Sequence, residues 1–256
     1  MKEESLTTRG IILDSRPYRE SDLLVSLFSF DFGRLSLLVR GAKKLSSKMS
    51  GHLEPLTRAK IMIIKGKGLD YIGGALSENS FQGIREDLNK LFYAGKIISL
   101  FSRLVKEGEK DERLFLLLNR YLELIDEATN FNKDEGELFF LKFSLSFLNE
   151  IGYRPEMNSC LNCKIKLEKA FNYFDLKEGG VVCEKCAKIF IEKVQEQERQ
   201  KNLSTASHTN LLTISNNCVI IIRYLLDKDN KQKIKIPKKT LKEASDLVKK
   251  FILYIN

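Results

Sequence analysis

Short apolar runs in the first eighty residues predict a small β domain. Apolar or β-rich segments begin at Gly10, Asp22, Arg34, Ala59 and Leu69, and glycine-containing or polar turns separate them. Five short strands joined in this way indicate a small closed or nearly closed barrel. A β-sandwich ordinarily needs more strands, so the barrel is the better interpretation.

The spacing of the apolar residues becomes helical near Ser80. From Ile84 to Val105 they recur every three to four positions. Further helices are predicted over 111–127, 134–151, 186–200, 209–227 and 238–255. The helix over 134–151 is apolar on two faces, so we expect it to be buried nearly all round at the centre of a helical bundle. The patterns predict an α+β protein with a barrel domain over residues 1–80 and a helical domain over residues 81–256.

Four of the five cysteines form two CxxC pairs. The pairs are Cys160 with Cys163 and Cys183 with Cys186. Four thiolates complete a tetrahedral zinc shell and leave no open position for water or substrate. The spacing therefore predicts one structural Zn²⁺ in a module over residues 158–190, with a strand over 171–175 and a turn at 178–180. A redox CxxC would require a thioredoxin-like βαβ context, which this sequence does not predict.

The fifth cysteine, Cys218, precedes the apolar run Val219–Ile222. We interpret it as a buried apolar residue rather than as a ligand.

Positive charge is concentrated in the barrel segment. The chain carries a net charge of +9, and only one acidic residue, Glu54, lies between Arg34 and Lys67. The basic residues of this stretch are Arg34, Arg40, Lys43, Lys44, Lys48, Arg58, Lys60, Lys65 and Lys67. This concentration favours a polyanionic partner.

The stretch from Arg40 to Lys48 has the composition of a flexible basic loop. Gly41 permits a sharp turn, and Lys43, Lys44 and Lys48 follow among small residues. Such a loop beside a barrel can follow a phosphate backbone while aromatic rings stack on bases. The aromatic candidates are Phe28, Phe30, Phe32 and Tyr71.

Other chemistry receives little support. Basic and acidic residues nearly balance in the cysteine module, which makes it a weak phosphate binder and favours a role as a clamp that holds a helix hairpin to the bundle. The two histidines lie far apart, and no phosphate-binding glycine motif is present. We therefore expect no catalysis. With neither a signal peptide nor a membrane-spanning run, a cytoplasmic protein is expected.

Several motifs, in order along the chain, resemble those of the RecO family of bacterial recombination mediators. They are TRGIIL (8–13), ESDLLV (20–25), FGRL (32–35), RGAKK (40–44), LEPL (53–56), KGKGL (65–69) and the segment from Phe147 through GYRP (152–155) to the first CxxC. Several motifs in register are more specific than any one of them.

The resemblance implies an OB-fold followed by an α-helical bundle with a zinc-binding module. It implies a non-catalytic activity in RecF-pathway DNA repair: binding single- and double-stranded DNA, annealing complementary strands, and helping RecA replace single-strand-binding protein (SSB). The implied direct partners are RecR and the C-terminal tail of SSB, and RecA and RecF are implied as indirect partners. The resemblance implies no membrane association and a cytoplasmic, nucleoid-associated location. The DNA-contact positions are Arg34, Arg40, Lys43, Lys44, Lys65 and Lys67, and the basic loop adds Lys48.

The alternative function is that of an OB-fold and zinc-ribbon protein that binds RNA or assembles with the transcription or translation machinery. Charge alone does not separate the two.

Overall fold

A computed structural model describes residues 5–44, 47, 49–167, 172–200, 210–227 and 235–255. The chain divides into two compact units, Met1–Phe140 and Leu141–Asn256, and one helix contains the border between them. The predicted domain boundary near residue 80 stays a prediction.

Five strands form the barrel of the first unit. They are β1 (Ser5–Pro17), β2 (Leu23–Ser29), β3 (Gly33–Val39), β4 (Arg58–Ile64) and β5 (Tyr71–Asn79), with a 3₁₀ helix at Ser50–His52 between β3 and β4. Their order is β1-β2-β3-β5-β4, and β4 pairs with β1 to close the barrel. Only the β3–β5 contact, at Leu38 and Tyr71, is parallel. A closed five-stranded barrel of this kind is the OB-fold, as predicted.

Strand β2 carries apolar residues on both of its faces, because one face lines the barrel core and the other packs against a helix that follows the barrel. Val25 and Leu27 point into the barrel, where they join residues such as Leu37, Ile61 and Ile72 in a buried core. Phe28 points outward and is fully buried, because its ring lies 4.9 Å from that of Phe101, edge to face. The barrel is therefore fixed to the helices that follow it.

The helices of the first unit are separated by caps that the sequence encodes. They are α1 (Gln82–Arg85), α2 (Leu88–Leu104), α3 (Glu112–Glu127) and the first part of α4 (Lys133–Glu150). The Asp87 side chain accepts hydrogen bonds from the N–H groups of Asn89 and Lys90, and this cap starts α2. The predicted helix over 84–105 is consequently two helices. Asp111 caps α3 in the same way.

The second unit combines the rest of α4 with a small sheet and three further helices. Its elements are β6 (Asn172–Asp175), β7 (Gly180–Cys183), α5 (Glu184–Gln200), β8 (Leu211–Ile214), α6 (Asn216–Leu226) and α7 (Lys238–Ile255). The strand order is β7-β6-β8. In α4, residues Phe143, Leu145 and Phe147 are fully buried, in agreement with the burial expected from its apolar pattern.

The prediction of one helix over residues 209–227 was wrong. Leu211–Ile214 forms β8, which pairs with β6, and α6 begins only after Ser215. The Ser215 hydroxyl accepts a hydrogen bond from the N–H of Cys218, at 3.1 Å, and caps the helix. A strand partner almost forty residues away is a tertiary effect that local periodicity does not reveal. Cys218 is fully buried, as predicted.

No helix among the described residues is both long and apolar enough to cross a bilayer.

Candidate nucleic-acid interface and metal centre

The four paired cysteines converge on one point of the second unit. The sulfur atoms of Cys160, Cys163, Cys183 and Cys186 all lie within 4.8 Å of one another, and those of Cys163 and Cys183 are 3.7 Å apart. Tetrahedral zinc–thiolate bonds place sulfurs about 3.8 Å apart. The cluster therefore has the dimensions of a four-thiolate metal site and can hold a metal ion.

Local backbone structure holds the two pairs in place. The first pair lies on a tight turn in which the N–H of Lys164 donates to the carbonyl of Cys160, at 2.9 Å, and Lys164 adopts a left-handed conformation. In the second pair, Cys183 is the last residue of β7 and Cys186 lies in the first turn of α5. The strand prediction for the module is confirmed by β6, apart from residue 171, which lies outside the described residues.

The thiols differ in their tendency to ionise. Burial favours the neutral form of Cys160, but hydrogen bonds from the N–H groups of Cys183, Cys163 and Asn162 outweigh it and lower the pKa to about 6. Burial, followed by the neighbouring thiols, raises the pKa of Cys186 to about 12. Four sulfurs this close repel one another as anions, so a bound cation is what allows all of them to ionise.

A second group of side chains gathers at one end of the barrel. We call this surface the basic end and define it by the three segments 16–22, 40–44 and 65–70, which are the β1–β2 loop with the end of β1, the start of the β3–β4 connection, and the β4–β5 loop. It carries seven basic residues against three acidic ones. The basic residues are Arg16, Arg19, Arg40, Lys43, Lys44, Lys65 and Lys67, and all seven are exposed.

Backbone hydrogen bonds tie the three segments of the basic end together. The N–H of Lys43 donates to the carbonyl of Ser21, at 2.9 Å, and the N–H of Gly41 donates to the Asp22 carboxylate, at 2.8 Å. The N–H of Leu38, just before Arg40, donates to the carbonyl of Asp70, at 3.0 Å. Gly41 has a positive φ of 63°, which glycine adopts without strain. The lysines therefore project from an anchored turn.

Two side-chain contacts further order the basic end. The guanidinium of Arg40 lies 4.4 Å from the ring centre of Tyr71, within the range of a cation–π interaction. The ammonium of Lys65 lies 2.8 Å from the Asp70 carboxylate. Burial alone raises the pKa of Asp70, but hydrogen bonds from Lys65 and the Gly66 N–H more than offset it, so the pKa lies below its ordinary value.

The structure brings five of the predicted DNA-contact residues to this surface: Arg40, Lys43, Lys44, Lys65 and Lys67. Arg34 lies elsewhere, since its Nη1 donates to the carbonyl oxygens of Ser102, at 2.5 Å, and Val105, at 3.2 Å. Lys48 lies outside the described residues. The proximity of the β3–β4 connection to the β4–β5 loop follows from the β3–β5 pairing, which the sequence did not reveal.

Sequence reasoning missed the contribution of the β1–β2 loop. Tyr18 is 45% exposed, and the guanidinium of Arg19 lies 5.4 Å from its ring centre. The string RPYR at 16–19 interleaves cations with an aromatic ring, and this is the sequence signal that points to the loop. Among the other aromatic candidates, Phe28 packs on Phe101 and the Phe30 ring lies 5.4 Å from that of Phe115. Tyr71 is the candidate that faces the basic end.

Comparisons with known proteins agree with this architecture. The family model "Recombination protein O N terminal" matches residues 1–81, and "Recombination protein O C terminal" matches residues 85–254. One similar relative, a DNA repair protein RecO from Dehalococcoides mccartyi strain 195, is 28% identical over 256 residues, covering 99% of this chain and 92% of the relative.

Two further relatives carry the same description. A DNA repair protein RecO from Dehalococcoides mccartyi strain BAV1 is 34% identical over 188 residues, covering 72% of this chain and 71% of the relative. A DNA repair protein RecO from Alkaliphilus metalliredigens is 26% identical over 250 residues, covering 97% of this chain and 92% of the relative. The two family models together span nearly the whole chain, in the order in which the barrel and the helical part occur. This protein therefore belongs to the RecO family of DNA repair proteins.

Proposed function

We propose that this protein is a non-catalytic mediator of recombination that binds single- and double-stranded DNA through the basic end of its barrel. The observation that supports the proposal is the meeting of three barrel segments at one surface that exposes cations beside aromatic rings. In OB-folds, the β1–β2 and β4–β5 loops and the outer face of β2 and β3 form the usual oligonucleotide surface. Binding there combines phosphate contacts with base stacking.

Each group at the basic end has its own part in this proposal. Arg40, Lys43, Lys44, Lys65 and Lys67 contact phosphates, and Lys48 extends the same loop. Tyr71 and Tyr18 offer rings on which bases stack. Contacts of this kind carry no sequence information, so binding is sequence-independent.

Annealing of complementary strands follows from the same surface. Two single strands repel each other through their phosphates, and a basic surface lowers that repulsion while the base edges remain free to pair. By the family resemblance, the protein also helps to load RecA on SSB-coated single strands. RecR and the C-terminal tail of SSB are its direct partners, RecF acts indirectly, and the location is cytoplasmic and nucleoid-associated.

The cysteine cluster in this proposal binds one zinc ion with a structural role. Zinc would join the turn at Cys160 and Cys163 to the end of β7 and the start of α5. The module's lysines have acidic neighbours, as in the 2.8 Å contact between Lys188 and Glu184, so it offers little to a phosphate backbone. We propose that the module is a staple within the helical domain, residues 81–256, while the OB domain, residues 1–80, binds DNA.

Binding to a fluorescent oligo-dT tests the role of the basic end. Three lost phosphate contacts reduce affinity roughly 50-fold at 0.15 M salt by counterion release, so we expect this loss in Arg40→Glu/Lys43→Glu/Lys44→Glu. The matched control, Lys239→Glu/Lys242→Glu/Lys250→Glu, changes net charge equally at exposed positions of α7. Equal affinity of the two triple variants would remove the basic end from the site.

The alternative, an RNA-binding factor, predicts a different preference. Measured under the same conditions, an affinity for single-stranded RNA far above that for DNA, with no annealing of DNA, would favour it.

A further inference from the structure

A cleft on the outside of the barrel shares Arg16 with the basic end, and its other residues have no part in the function proposed so far. It lies within the first unit between the outer face of β1–β3 and helix α2, and its volume is about 620 Å³. Arg16 stands at the end of β1, Ser26 and Arg34 line the strand side, and Ser99 and Arg103 line the helix side. The cleft therefore joins the barrel to the first long helix.

The cleft carries more basic than acidic side chains. Arg34 is held on the strand side by two carbonyl oxygens rather than by a carboxylate, so its charge is fixed there. Arg16 and Arg103 are exposed, and the guanidinium of neither has a hydrogen-bonded or ionic partner among the described residues. One carboxylate, Asp14, lines the cleft, and a second, that of Glu107, accepts a hydrogen bond from the hydroxyl of Ser36 on the strand side. Three arginines against these two carboxylates leave a net positive charge, and Arg16 and Arg103 are the cations available to an anion.

Small residues on α2 keep the cleft open. Gly95, Ser99 and Ser102 follow one another at helical spacing and all line it. A Cβ atom at position 95 would meet nothing within 4 Å beyond its chain neighbours and the nearby backbone of its own helix, so the glycine faces open space. A helix with ordinary side chains at these positions would fill the cleft.

The cleft continues the basic end. Arg16 belongs to both surfaces, because it pairs with Leu24 in the last part of the β1–β2 ladder and immediately precedes the β1–β2 loop. From there the cleft follows β2 and β3, the face that OB-folds use together with the β1–β2 and β4–β5 loops. For a DNA single strand bound at the basic end, the cleft is the next positively charged surface along the barrel.

We infer that the cleft binds the phosphodiester backbone of the same DNA single strand that the basic end binds, with Arg16 and Arg103 contacting phosphates. The inference rests on the proposed function of the basic end and extends its site onto helix α2. The polar groups that line the cleft are mainly serine hydroxyls and guanidinium groups, which can donate hydrogen bonds to the oxygens of a phosphate backbone. The alternative occupant is an acidic peptide, and the test must distinguish it from single-stranded DNA.

Oligonucleotide length provides the test. OB-folds occupy about 4–16 nucleotides, so an oligo-dT of about 6 nucleotides reaches the basic end alone and one of about 16 also reaches the cleft. In Arg103→Glu, we expect affinity for the long oligonucleotide to fall at least about fourfold at 0.15 M salt and its salt slope to lessen by about 0.7. Affinity for the short one stays unchanged.

Two further variants make the result specific. Ser99→Trp fills the cleft without changing charge and should remove the same advantage of the long oligonucleotide. Arg120→Glu is the matched control, since Arg120 is exposed on α3 and does not line the cleft.

Each outcome decides the inference. A loss confined to the long oligonucleotide in Arg103→Glu, absent in Arg120→Glu, supports it. An unchanged affinity and slope in Arg103→Glu overturns it, and a loss of binding to a fluorescent acidic peptide in that variant would then assign the cleft to a protein partner. Failure of the basic end itself is seen separately, because Arg40→Glu/Lys43→Glu/Lys44→Glu would then leave both oligonucleotides unaffected.

Discussion

The guanidinium of Arg40, the residue that follows β3, lies 4.4 Å from the ring centre of Tyr71, at the start of β5. These residues are about thirty positions apart, and the parallel pairing of Leu38 with Tyr71 brings them together. The contact orients a cation beside an aromatic ring at the point where the β3–β4 connection meets the β4–β5 loop. Phosphate contact and base stacking are thus available side by side.

Removal of the Tyr71 ring tests the stacking role. A base stacked on an aromatic side chain contributes about 1–3 kcal/mol, so Tyr71→Ala should weaken binding of oligo-dT at least about fivefold. Tyr71→Phe keeps the ring and should bind as the parent does. Fluorescence anisotropy measures both, and equal losses in the two variants would contradict stacking.

The salt dependence of binding counts the phosphates that the lysine pair neutralises. Each phosphate contact on a single strand contributes about −0.7 to the slope of log K against log salt concentration. Lys43→Gln/Lys44→Gln should therefore reduce the slope by about 1.4, and Lys242→Gln/Lys250→Gln should leave it unchanged. A lower affinity at every salt concentration with an unaltered slope would show that the two lysines do not contact phosphate.

Arg34 should affect stability more than the exposed cations do. Its hydrogen bonds to the carbonyl oxygens of Ser102 and Val105 join β3 to the end of α2. Arg34→Leu leaves these carbonyls unsatisfied, so we expect the free energy of unfolding to fall by about 2–3 kcal/mol. Arg40→Leu, which loses an exposed cation–π contact, should cost less than about 1 kcal/mol. Urea denaturation followed by circular dichroism compares them, and equal stabilities would contradict this assignment of Arg34.

Thiol reactivity tests the metal site. Cys218 is fully buried, and burial, with a smaller contribution from the Glu243 charge, raises its pKa to about 12. Thiolates rather than thiols react with disulfide reagents, so Cys218 should react only after denaturation. Removal of zinc by a chelator should release four further thiols, of which Cys160, whose pKa is lowered, should react first and Cys186, whose pKa is raised, last.

Measurement of the zinc content provides the control for the thiol reaction. Freshly purified protein should contain one zinc ion per chain by elemental analysis, and Cys160→Ser should lose it. Reaction of these thiols before any chelator is added, in protein that contains no zinc, would contradict the site.

The sequence predicted the secondary-structure elements of this protein better than it predicted which elements pair with each other. Short apolar runs and glycine turns located the five barrel strands, and the spacing of the CxxC pairs located the metal cluster, because these signals are local. The strand β8 was missed because pairing with β6 stabilises it, and the short stretch 211–214, with three apolar residues and a threonine, suits the start of a helix equally well.

The site was predictable to a similar extent. The RGAKK string identified Arg40, Lys43 and Lys44 as exposed cations, and the structure places them there. The sequence did not separate Arg34 from them, because a basic residue in a strand has the same pattern whether it faces solvent or two helix carbonyls. The contributions of Tyr18, Arg16 and Arg103 depend on barrel closure and on the position of α2, which are tertiary features.

The most direct test of the central claim is strand annealing on SSB-coated DNA. Two complementary single strands, each saturated with SSB, are mixed with the protein, and duplex formation is followed by fluorescence energy transfer. The parent chain and Lys239→Glu/Lys242→Glu/Lys250→Glu should anneal them at similar rates, and Arg40→Glu/Lys43→Glu/Lys44→Glu should be slower by at least about tenfold. Annealing by the latter variant at the parent rate would contradict the claim that the basic end of the barrel is the DNA-binding surface.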